Sequence, residues 1–212
     1  MSILVLTSDT LSSPAAAGQI EYTSPIFAAT PIGTQRGIVP TQQYYRLNAD
    51  LAGANVATAQ SIFNVGCTLS ASTVYEFEAL YGLIKSAGTT SHTLGFGFGG
   101  TATVNNILYE ASGGIILGAT ASGTLLSGAS GLIGSIANSI TSTVVFTAIT
   151  TAAISFSHIV RGTVSINAGG TFIPQYTCSA APGGAYTTVA GSFIRINPLS
   201  ASGAATNVGT WA

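Results

Sequence analysis

From Ile154 to Pro198 the chain holds three extended runs, the first two alternating apolar and polar residues, punctuated by Asn167-Ala168-Gly169-Gly170 and Ala181-Pro182-Gly183-Gly184. A period of two puts successive side chains on opposite faces, which is the geometry of a strand and not of a helix. Glycine supplies positive φ and proline presets φ, so the two breaks read as tight reversals. This stretch therefore predicts an antiparallel sheet. One face carries Ile154, Phe156, His158, Val160, Gly162, Val164 and Ile166, continued by Phe172, Pro174, Tyr176 and Cys178. The other carries Ser155, Ser157, Arg161, Thr163 and Ser165. Phe156, Val164, Phe172 and Tyr176 are candidates for the core.

The same period recurs upstream. In Val74–Lys85 the odd positions Tyr75, Phe77, Ala79, Tyr81 and Leu83 form an apolar face, with Glu76, Glu78 and Leu80 opposite. Next, His92, Leu94, Phe96 and Phe98 alternate with Thr93, Gly95, Gly97 and Gly99, a face without side chains that lets a neighbouring layer approach closely. Tyr75, Phe77, Tyr81, Phe96 and Phe98 join the candidate core. Thr101–Tyr109, Val144–Phe156 and Phe193–Asn197 read as further strands. Gln19–Ala29 reads as one extended edge strand because of Pro25, with Tyr22 and Phe27 turned to the core. Ser2–Leu6 reads as an edge strand and Thr7–Gly18 as a loop. Two segments read as helix: Asp50–Phe63, with Asn48 or Asp50 as cap, and a short piece over Ser130–Ile140. The rest of Ala111–Ser142 is Gly/Ser/Ala-rich and reads as short strands and binding loops. The expectation is an all-β, antiparallel jelly-roll or β-sandwich fold with at most short helices. An N-terminal arm over 1–18 precedes a single domain over 19–212.

Composition narrows the function classes. Only 5% of the 212 residues are charged and the net charge is −1, against about 25% charged in an average soluble domain. Nucleic acid and anionic membranes need a basic footprint, which is absent. Mean hydropathy is +0.53, yet no run of about 18 apolar residues occurs, so membrane insertion is not expected. Met1-Ser2 is followed by Ile-Leu-Val-Leu with no basic region, unlike a signal peptide. A surface so poor in charge is suited to burial in an assembly. Two cysteines, Cys67 and Cys178, read as free thiols.

No pattern in the chain is a reaction centre. There is no Gly-x-Ser-x-Gly elbow, and Gly95–Gly100 lies in an alternating strand, not before a helix, so it is not a phosphate loop. Glu76 and Glu78 are carboxylates about 7 Å apart along one strand, but glycosidase pairs sit in sugar-binding clefts. His92 and His158 fall in apolar phases and read as core or interface histidines. No catalytic residue, metal or cofactor is expected. Glu76, Glu78, Arg161 and Arg195 read as subunit-interface residues. Each arginine is expected to pair with a carboxylate among Asp9, Glu21, Asp50, Glu76, Glu78 and Glu110. Tyr44, Tyr45, Tyr186 and Trp211 are aromatics able to stack on a sugar or a partner.

Three segments carry a family resemblance: Thr30–Phe63, Ala87–Ile107, and Arg161–Leu199 with the closing Gly-Thr-Trp. Together they resemble the C-terminal, jelly-roll-like domain of tail-fibre-type structural proteins of tailed bacteriophages, over roughly Gln19 to Ala212. The resemblance implies a homotrimeric, non-enzymatic module on the virion surface, of tail-fibre or receptor-binding type. Its partners would be other virion proteins and a host surface glycan or receptor. Because little precedes the domain, a trimeric capsid decoration (cement) protein bound to the major capsid protein is the alternative. A polysaccharide-degrading tail enzyme is the lower one.

Overall fold

A computed structural model describes residues 6–117, 132–203, 205, 208 and 209. Among these residues every regular element is a strand. Residues before the sandwich form a small antiparallel sheet of β1 (Ile20–Thr23), β2 (Ile26–Ile32) and β3 (Gln35–Val39). The predicted single edge strand over Gln19–Ala29 is thus a hairpin. Pro25, which has no N–H to give to a ladder, stands in the turn between β1 and β2. Tyr22 and Phe27 face each other across that hairpin and stack at 4.6 Å, half-buried on the small sheet and outside the main core.

The remaining strands, in chain order, are β4 (Gln43–Arg46), β5 (Leu51–Ala52), β6 (Gln60–Ser61), β7 (Cys67–Leu69), β8 (Thr73–Lys85), β9 (His92–Gly99), β10 (Thr103–Leu117), β11 (Leu132–Ala137), β12 (Thr143–Ile149), β13 (Ile154–Ala168), β14 (Gly170–Cys178), β15 (Thr187–Thr188) and β16 (Phe193–Ala201). They build an antiparallel sandwich. The larger sheet runs β11-β10-β13-β8, after which β8 pairs with β16 and then β4 along part of its length, and with β15 and then β5 along the rest. The smaller sheet runs β12-β9-β14-β6, and β7 also pairs β14. Neighbouring strands in sequence cross between the sheets, as β8 to β9, β9 to β10 and β13 to β14 do.

Three further expectations change. Asp50–Phe63 is not a helix but two short strands, β5 and β6, with a loop between. Tertiary contacts satisfy its backbone: Gly53 N–H donates to the Tyr186 carbonyl at 2.8 Å, and the Gln60 side chain binds both Ala54 N–H and C=O. Tyr176 Oη also crowds the place where a Cβ on Gly53 would stand. The expected helix near Ser130–Ile140 is β11 over its described part, drawn onto the edge of β10; residues 130 and 131 lie outside the described residues. Val144–Phe156 is two strands in different sheets, β12 and the start of β13, separated by residues 150–153. The Ser2–Leu6 strand also lies outside the described residues but for Leu6, which is in no strand.

The core lies between the sheets. Tyr75, Phe77, Tyr81, Phe96, Phe98, Phe156, Val164, Phe172 and Tyr176 are all buried there. Phe98 is the hub: it stacks on Phe172 at 4.2 Å and meets Phe77, Phe96 and Tyr109 edge-on at 5.1–5.3 Å. Offset and edge-on contacts are those the ring quadrupoles favour.

The glycine face of β9 is covered by the turn before β12. Phe98 N–H donates to the Ile140 carbonyl at 2.9 Å. A Cβ on Gly97 would stand 2.8 Å from three backbone atoms of Ile140 and Ser142. Gly97→Ala is therefore expected to push this turn off the sheet and to destabilise the fold by about 1–3 kcal/mol. Urea unfolding of the variant, with loss of amide protection at Phe98, would check it.

A charged ladder on the open face of the larger sheet

Two clusters of chemistry-bearing side chains stand in the described structure, one buried and one open. The buried cluster sits between the sheets. Lys85 is buried, donates from Nζ to the Gly88 carbonyl at 2.7 Å, and lies 5.9 Å above the Tyr186 ring. His92 Nδ1 lies 2.7 Å from the Thr90 carbonyl and Nε2 lies 2.8 Å from the Tyr186 hydroxyl. A carbonyl only accepts, so Nδ1 carries the proton and Nε2 accepts from Tyr186. Burial holds Lys85 and His92 below their ordinary pKa values, and pushes the Cys178 thiol up to about 11. A thiol so shifted is neutral and unreactive near pH 7. Tyr186, expected among the exposed aromatics, is fully buried here. This group is a satisfied polar network inside the core.

His158 is different. Its ring is fully buried and stacks between Tyr81 at 5.3 Å and Phe156 at 6.0 Å. Neither ring nitrogen has a hydrogen-bond partner among the described residues, and burial lowers its pKa to about 4. Cys67 and Cys178 are both free thiols, Cys178 buried and Cys67 half-buried. No group of three His, Cys, Asp or Glu side chains with metal-site geometry occurs among the described residues.

The open cluster is built by strand register. On β8 the even positions face away from the core; on β13 the odd positions do, on β10 the even and on β16 the odd. Register then aligns Ile136, Glu110, Arg161, Glu78, Arg195 and Tyr44 in one row across β11, β10, β13, β8, β16 and β4. Charge alternates along it: carboxylate, guanidinium, carboxylate, guanidinium. Arg161 Nη2 lies 3.2 Å from Glu110 Oε2, and Arg195 Nη2 lies 3.0 Å from Glu78 Oε1. One row away, Glu76 faces Thr163 and accepts from Asn197 Nδ2 at 3.3 Å. On the other side, Ser112, Ile159, Leu80 and Phe193 align. The charged row from Ile136 to Arg195, the Glu76 row beside it, and Pro40 and Gln42 border a shallow groove of about 770 Å³.

Thus Glu76, Glu78, Arg161 and Arg195, picked out from sequence, fall on one face. Both arginines pair within their own chain, with carboxylates from the expected set. Glu110 completes the row, so five of the eleven charged residues of the chain gather here. The exposed apolar residues Leu108, Ile136 and Ile159 went unnoticed in the sequence. Leu108 and Ile159 share the phase of Glu110 and Arg161, and that signal was available; the placement of Ile136 came only with the pairing of β11. Tyr44 lies on the row and stacks on Phe193 at 5.5 Å, while Tyr45 turns to Phe63. Trp211 and residues 118–131 of the Gly/Ser-rich loops lie outside the described residues.

The two ion pairs do little for stability. Their side chains are 36–67% exposed, and solvated pairs contribute about 0.2–1 kcal/mol. The aromatic residues that line the groove, Phe77 and Tyr109, are buried beneath the sheet, and Glu78 is bound to Arg195. The face is a shallow, exposed surface of mixed apolar and charged side chains. Comparison with family models, curated protein sequences and solved structures returned no match.

Proposed function

We propose that the chain is a non-enzymatic structural module of a tailed-phage particle, on the particle surface, and that it works through the open face of its larger sheet. The observation that carries the reading is the gathering of five of the eleven charges of a charge-poor chain on one exposed sheet face, four of them in a single row. Protein contact faces combine apolar area with a few oriented charges, and arginine and tyrosine are enriched in them. The sequence resemblance supplies the particle; the tail-fibre or receptor-binding role comes from that resemblance. Immunogold labelling of purified particles with an antibody to this chain tests the reading. Label on tails is the expected result. Label over whole heads would make the chain a capsid decoration protein, and particles without label would overturn the reading. Release of reducing ends from host polysaccharide by the purified protein would overturn the non-enzymatic part.

A further inference from the structure

We propose that the open face of the larger sheet binds a second copy of this chain about a two-fold axis. The axis lies in the contact plane and runs along the strands, between β13 and β8. The proposal rests on reading this face as a contact surface and names its occupant.

The argument is the order of charges. From β10 to β16 the row reads Glu110, Arg161, Glu78, Arg195. Read backwards, every sign is inverted. A two-fold rotation about the stated axis turns the row over onto itself, end for end. Glu110 then faces Arg195 of the second copy, and Arg161 faces its Glu78. All four charges meet an opposite charge. The adjoining row obeys the same operation: Ile159, 47% exposed, faces Leu80 of the copy, 37% exposed. Ile136, at 76% the most exposed large apolar residue described, is brought over Tyr44. One operator thus matches the four charges of the central row and the Ile159–Leu80 pair beside it, while in the third row Leu108 faces Asn197 and Thr163 faces Glu76.

Self-complementarity of this kind is what an isologous interface requires, because one patch must recognise itself. A foreign partner demands no such antisymmetry. A three-fold contact is heterologous and joins two different patches, so it does not call for a row that is its own complement. Twisted sheets that pack face to face cross at about 30°. The pairs nearest the axis, Arg161 with Glu78 and Ile159 with Leu80, stay matched under that rotation. Six strands by about three rows cover about 600 Å² per copy from strand spacing and rise, close to the roughly 800 Å² per partner of a standard stable complex.

The test uses the full chain and two double variants. E78R with E110R makes the row wholly positive, and R161E with R195E makes it wholly negative. Native mass spectrometry and light scattering should show wild type at twice 21.2 kDa. Each variant alone should run at the monomer mass, and an equimolar mixture should restore a dimer of mixed composition. Only direct facing of the two rows predicts that rescue. Circular dichroism confirms that each variant is folded. Should a variant fail to fold, Ile159→Lys, a single change on the apolar row, is expected to abolish the dimer, and an intact dimer would overturn the proposal. So would a monomeric or trimeric wild type, or a mixture that stays monomeric. A monomeric wild type on particles that still label with antibody defeats the pairing alone. Absence of label defeats the reading beneath it.

Discussion

Truncating Phe98 to alanine is expected to lower the unfolding free energy by about 3–5 kcal/mol, the range for an aromatic removed from a packed core. Phe98 touches four other rings, two of them on the facing larger sheet, Phe77 on β8 and Tyr109 on β10. Its removal leaves a cavity that a stiff sandwich closes poorly, because strands are tied to their neighbours by backbone ladders. Domains of this size are stable by about 5–15 kcal/mol, so the loss is a large share of the total. Urea denaturation gives the value. The control is Phe27→Ala, whose half-buried ring packs on Tyr22 in the small sheet; it should cost much less. Equal losses at the two positions would mean that the sandwich core is not where the stability resides.

Acid should destabilise the protein well before its carboxylates titrate, through His158. Burial between Tyr81 and Phe156 lowers its pKa from 6.5 to about 4. Between those pH values the unfolded chain binds a proton that the folded chain does not. Stability is therefore full above about pH 6.5 and falls as pH drops toward 4. A shift of this size is worth about 3 kcal/mol. His92 is shifted in the same direction by burial and adds to the slope. The lowered pKa of Glu21, held chiefly by its hydrogen bond from Ser12 N–H, acts later, as pH falls below the ordinary carboxylate range. His158→Leu should flatten the limb between pH 6.5 and 4 and leave only the His92 share. At neutral pH it removes two unpaired buried nitrogens, each costing about 1–3 kcal/mol, against a ring-stacking loss of about 0.5–1.5 kcal/mol. The variant is thus expected to be at least as stable as wild type at pH 7. Thermal melts of both proteins across that pH window measure the difference, and an unchanged acid slope would exclude His158 as its source.

The two histidines show where sequence reading stops. His92 and His158 both fall in apolar phases of β-runs, and both are buried. Sequence did not separate the one that hydrogen-bonds Tyr186 from the one without a partner, because Tyr186 is 94 residues from His92 in the chain. Asp50–Phe63 marks the opposite failure. Its composition permits helix, but a backbone that can bond Tyr186 and Gln60 has no need of helical bonds, and the long-range partners decided.

The open face divides in the same way. Period-two alternation alone placed Glu76 and Glu78 opposite the core of β8 and Arg161 opposite that of β13, since the pleat leaves no other choice. Alternation says which face a residue takes, but not which residue of another strand stands beside it. Register does that. Slipping β13 by two residues against β8 would keep every side chain on its own face and still bring Thr163 or Ile159, not Arg161, beside Glu78. Glu110, Arg161, Glu78 and Arg195 became one alternating row only when core packing and the ladder bonds fixed four strands distant in sequence at one relative height. The sequence by itself determined an antiparallel sandwich and the side of β8 and β13 that meets water. The tertiary structure decided the order of charges across that side, because order across strands is a property of pairing.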